Sequence, residues 1–195
     1  MKINFKYTAK QEVKEVIQCL KDANFLTANR YDCALPAGVF LNSKLSKIDL
    51  EQKIAKEYQD NMYAYFKLKE ELSKDLENVI NEYQNFFINK DFLLPDKIDI
   101  NFSFYGTKGS YDLPDQISVR LVNDMKGDLL PVVLHEITHI IIEKPLVLKF
   151  ALDHSTKENL VDWILSETEL HHILPNYKVQ TNYSLPDSAF RKIFY

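Results

Sequence analysis

The segment from Leu130 to Ile142 is apolar except at His135, Glu136, Thr138 and His139, and this constrains the chain more than any other feature. A run so apolar must be buried. Two imidazoles and a carboxylate buried with it then need partners, because an unsatisfied polar group in apolar surroundings is costly. Pro131 suits the first turn of a helix, Asp128 is a candidate N-cap, and Pro145 stops or redirects the chain, so a helix is predicted over about 130–142. Residues four apart on a helix project from one face, one turn apart, so His135 and His139 can reach a single metal ion. Glu136 stands one residue further round. From there a carboxylate reaches a water held on the ion rather than the ion itself, as a general base must.

A catalytic zinc takes three protein ligands and keeps a fourth position for water, so a third donor is required. Glu143, His154, Glu158, Glu167, His171 and His172 follow in the sequence. Glu143 is too far along the same helix axis to close around an ion held by His135 and His139, and reads as a surface residue. Glu158 is preferred, at the start of a further helix predicted from Ser155-Thr156 to about Ile173, with Asp162 one turn later. The alternative is that Ser155-x-x-Glu158 is a capping box in which Glu158 only satisfies backbone donors.

His135-Glu136-x-x-His139, followed after eighteen intervening residues by Glu158 and then Asp162, resembles the gluzincins, the group of thermolysin-like peptidases and zinc aminopeptidases. The four-residue step between Glu158 and Asp162 is similar to the former and the eighteen-residue gap to the latter. The resemblance covers about residues 96 to 175. It implies that His135, His139 and Glu158 ligate Zn2+, that Glu136 activates the water, and that Asp162 backs a ligating imidazole, a role physical reasoning also supports. Gly109-Ser110-Tyr111-Asp112 looks like the edge strand that lines a zincin cleft and pairs with an extended substrate. A donor to the developing oxyanion is also needed. Tyr183 is the first choice, with Tyr177, His171 and His172 as alternatives, the two histidines also suiting a helix C-terminus.

Elsewhere the pattern is helical first and then extended. Thr8 with Gln11 opens a helix over about 10–23, and 24–45 reads as loop with short pieces of structure. Ser46 with Asp49 opens a helical stretch to about Ile88, whose length predicts two helices broken at Asp60-Asn61 or Ser73. Ile98, Ile100, Phe102 and Phe104 alternate with polar residues, as do Ile117, Val119 and Leu121, predicting strands of a small antiparallel sheet. The expected architecture is α+β and zincin-like. Residues 1–95 form a helical N-terminal segment, and residues 96–195 place a small mixed sheet on the active-site helix.

A formal net charge of −4 and lysines dispersed among acids give no pull toward nucleic acid or an anionic membrane. The N-terminus has no secretory-type apolar run and no stretch suffices to span a bilayer. Cys19 and Cys33 lack a nearby second Cys or His, so they are not a zinc site, and two thiols fit a reducing cytoplasm while leaving a single bridge open. The reading is a zinc-dependent hydrolase of peptide or protein substrates. Its rivals are a non-catalytic module with a structural zinc whose shell His154 or His171 closes, and a hydrolase of another amide. The Tyr-rich tail beyond Tyr177 is a candidate self-inhibitor.

Overall fold

A computed structural model describes residues 1–122, 129–179 and 188–194. It is an α+β protein built on a four-stranded mixed sheet in the order β1-β2-β4-β3. The strands are β1 (Lys2–Tyr7), β2 (Lys97–Ser103), β3 (Gly109–Asp112) and β4 (Gln116–Arg120). β2 pairs in parallel with both β1 and β4, while β3 pairs antiparallel with β4 and forms the other edge. The β3–β4 hairpin is antiparallel, as its short connection requires, but β2 and β4 pair in parallel rather than antiparallel because the chain crosses over through β3 between them, and β1 joins from distant chain.

The helices are α1 (Ala9–Lys21), α2 (Ala23–Ala28), α3 (Lys47–Ile88), α4 (Leu129–Ile142), α5 (His154–Glu167) and α6 (Ser188–Phe194). At the start of α1 the Thr8 hydroxyl accepts from the Gln11 N–H, while the Gln11 side chain reaches Glu15 and Ser118 instead of closing the box. At α3 the reciprocal box of Ser46 and Asp49 is complete.

α3 is one helix of 42 residues, not two. Its apolar stripe, Leu50, Ile54, Tyr65, Leu68, Leu72, Leu76, Tyr83, Phe86 and Phe87, stays buried along the whole length, so packing carries the helix through its weak positions. Ser73, an expected breaker, donates its hydroxyl to the Lys69 carbonyl one turn back and leaves the ladder intact.

Residues 1–95 are also not purely helical, since β1 adds to the sheet through pairs such as Ile3 with Ile98 and Phe5 with Ile100. The main core draws Tyr7, Leu72 and Phe87 together with Ile98, Val133 and Trp163. A division at position 95 therefore does not separate two cores. A smaller cluster of Val13, Val16, Val39, Leu50, Ile54 and Tyr105 joins α1 to the start of α3.

Cys19 of α1 is bridged to Cys33. The bond left open in the sequence is formed, so the cysteines lend no support to a reducing cytoplasm. Among the described residues no helix is long and apolar enough to cross a membrane.

α4 packs on β3, β4 and α5, and nearly all of it is buried. Past Ile142 the chain widens into a π-helical turn, Glu143–Leu148, that accommodates Pro145. Asp153, not Ser155, caps α5 by accepting from the Thr156 N–H. The helix ends at Glu167 and is followed by a tight 3₁₀ turn, Glu169–His172, rather than running on to Ile173. The expected N-cap Asp128 lies outside the described residues.

Candidate metal centre

His135 and His139 are only 1% exposed and converge on one carboxylate. Their Nε2 atoms lie 3.0 Å apart, and each is 3.3 Å from Glu158 Oε2. Because Asp153 takes the capping role, Glu158 is not the capping-box residue of α5 but sits inside the helix, facing the two imidazoles of α4. A tetrahedral ion with bonds of about 2.0–2.1 Å has donors about 3.3 Å apart. The three observed separations match one face of such a tetrahedron, and the group can hold a metal ion.

The electrostatics agree with the geometry. Burial pushes the Glu158 carboxyl up, but its contacts with the two imidazoles prevail and hold it below the usual carboxylate range. Burial pulls His139 down to about 4 against the attraction of Glu158, so its ring is neutral. Burial would lower His135 as well, yet Glu158, Glu136 and Asp162 around it raise it.

Glu136 is buried and pushed up to about 7 by desolvation, with the His135 charge opposing. A carboxyl poised there exchanges a proton near neutrality. Its carboxylate lies against Gly109 of β3, where a Cβ would overlap Oε1 and stand 3.0 Å from Cδ. The side chain of Val132 would be equally close. β3 therefore brings an edge strand against Glu136 only because residue 109 lacks a side chain.

Asp162, wholly buried, is near His135 as expected, but Oδ1 stands 3.7 Å from Nδ1, beyond a hydrogen bond. The phenol of Tyr177 fills the gap, 2.6 Å from Nδ1 and donating to Asp162 Oδ1 at 2.6 Å. Tyr177 is thus turned to the back of His135, away from the ligating nitrogens, which removes it as an oxyanion donor. Tyr183, the first choice for that role, lies outside the described residues.

On the other imidazole, Tyr111 stacks on His139 with centroids 4.9 Å apart and an interplanar angle of 9°. Its hydroxyl donates to Glu143 Oε2 at 2.8 Å and accepts from Lys157 Nζ at 2.9 Å. Glu143 is accordingly a buried partner of Tyr111 and not the surface residue its sequence position suggested. Neither Tyr111 nor Lys157 carried a sequence signal of its own, though Tyr111 shares with Gly109 the face of β3 that meets α4.

His154 approaches the far side of Glu158, with Nδ1 3.6 Å from Oε1, and its Nε2 meets the Tyr31 hydroxyl at 3.0 Å. It does not join the three donors. His171 is exposed, and His172 pairs with Glu82 and the Glu169 carbonyl, so neither enters the site. Residues 180–187 of the candidate self-inhibitory tail lie outside the described residues. Its end, α6, buries Phe194 against Phe86, Phe92 and Trp163, in the core rather than the cleft.

No family model matches this chain, and no curated protein or solved structure proves similar to it.

Proposed function

We propose that the protein is a zinc-dependent peptidase with a zincin-like catalytic core of the gluzincin type. The observation that carries the reading is the convergence of His135 Nε2, His139 Nε2 and Glu158 Oε2 at the spacing of one tetrahedral face, with Glu136 next in sequence and poised near neutrality. Bound there, zinc supplies Lewis-acid activation of a water and of the scissile carbonyl. Glu136 takes the proton of the attacking water as its oxygen bonds to the carbonyl carbon. The C–N bond breaks, and the amine leaves with the proton Glu136 carried.

An edge strand whose Gly109 touches the general base supports an extended peptide as substrate, aligned along β3. Three donors among the described residues, with His154 facing the other oxygen of Glu158, support an open fourth position over a closed structural shell.

The test is Glu136→Gln. Purified with zinc, the variant is expected to keep the metal at full stoichiometry and to lose turnover of a peptide library by at least ~100-fold. Full activity in that variant ends the mechanism, and cleavage of simple amides but not peptides moves the protein to another class of amide hydrolase.

A further inference from the structure

A phenol carries one proton, and that of Tyr177 goes to Asp162 Oδ1. The lone pairs of the same oxygen then face His135 Nδ1 at 2.6 Å, where only an N–H makes a good contact. His135 therefore bears its proton on Nδ1. In the neutral ring this leaves Nε2 with a free lone pair directed at His139 and Glu158, the form a metal ligand needs.

The arrangement is held firmly. The Tyr177 ring is within 16° of parallel to the imidazole, and its N–H donates to the carbonyl of buried Leu174 at 3.0 Å. His139 has no comparable support, since its Nδ1 is buried without a hydrogen-bond partner among the described residues.

We propose that Tyr177 is a positioning residue of the metal centre: by relaying His135 to Asp162 it fixes the one tautomer of His135 whose Nε2 can bind an ion. The two imidazoles are then unequal, His135 being preorganised and His139 adopting its ligating tautomer when the ion arrives. The proposal rests on the metal-binding half of the reading above and not on peptide cleavage. It also makes the segment after the 3₁₀ turn, remote in sequence from His135, part of the centre.

Two readouts test it without any activity assay. In metal-free, 15N-labelled full-length protein, long-range 15N–1H correlation is expected to find the His135 proton on Nδ1 in the wild type and divided between both nitrogens in Tyr177→Phe. Competition with a chromophoric chelator is expected to show Zn2+ affinity falling about 10- to 100-fold in Tyr177→Phe. In the Asp162→Ala, Tyr177→Phe double variant the further loss is expected to be much less than additive, because both residues act through one contact.

A purely structural Tyr177 would lower the unfolding temperature of the metal-free protein and leave tautomer and affinity unchanged, which overturns the proposal. So does a wild-type His135 protonated on Nε2. If zinc binds and the affinity loss is seen but no peptide is cut, the peptidase reading fails and this one stands. If peptides are cut while Tyr177→Phe keeps full affinity, the reverse holds.

Discussion

The carboxylate of Glu136 rests against the α-carbon side of Gly109, and no other residue type fits between them without displacing it. Glu136 and the edge strand are thereby locked in one geometry, although they lie on separate elements.

Gly109→Ala should shift that carboxylate while sparing the ligands. The obstructing atoms are the end of a flexible side chain and one Val132 methyl, so the fold adjusts at about 1 kcal/mol or somewhat more. Because a displacement near 1 Å at a catalytic group costs ~100-fold, turnover should drop by one to two orders of magnitude with zinc content unchanged. Steady-state kinetics beside metal analysis decide it, and unaltered kcat would separate Gly109 from the chemistry.

Glu158 and His154 are neighbours with different expected fates. Glu158→Ala removes a donor facing both imidazoles and should weaken Zn2+ binding by more than ~100-fold. His154→Ala removes contacts with the outer oxygen, the Tyr31 hydroxyl and the Phe25 ring, and should leave affinity within a few-fold. Equal losses would mean that His154 belongs to the shell.

Away from the centre, Glu12 offers a pH test. It is fully buried, and desolvation raises its carboxyl above the ordinary value of 4.5 despite bonds from Ser103 and the Phe104 N–H. The native state then holds that proton more tightly than the unfolded chain, so its contribution to stability is intact below about 4.5 and declines as pH rises through the raised native value. Glu12→Gln should remove that part of the slope. Urea unfolding of both proteins from pH 4.5 to 8 reads the difference; parallel curves would show that Glu12 does not titrate in this window.

The Cys19–Cys33 bridge closes a loop with a sequence separation of 14, worth up to about 3 kcal/mol by chain entropy. The same connector carries Tyr31, bonded to His154, and Asp32, 2.5 Å from Arg120. Cys33→Ser should therefore lower the unfolding free energy by ~2–3 kcal/mol in non-reducing buffer, and dithiothreitol should do the same to the wild type. No change under reduction would place the bridge outside the stability of the fold.

What the sequence made legible was local. The four-residue step from His135 to His139 and the alternation of Ile98, Ile100 and Phe102 are periodic signals that survive into the structure. Glu158 and Asp162 were found as a pair one turn apart, yet the phenol between Asp162 and His135 was invisible, because Tyr177 reaches them only through the turn after α5. The unbroken α3 was misjudged for a related reason: Asp60, Asn61 and Ser73 weaken a helix locally, and the packing that overrides them lies on other elements. Likewise Ile3, Phe5 and Tyr7 alternate with polar residues as a strand does, but the partner of β1 lies nearly half the chain away and nothing in residues 1–7 specifies it.

That long separation bears on the order of assembly. Joining Lys2 to Lys97 confines everything between them, so the β1–β2 pair must overcome a large loop-closure entropy before it gains any hydrogen bonds. α4 and α5 have only a short connection to confine, so the imidazoles and Glu158 can meet while the sheet is still incomplete. A divalent ion present during refolding would then accelerate the productive route, acting as a nucleus rather than as a late addition.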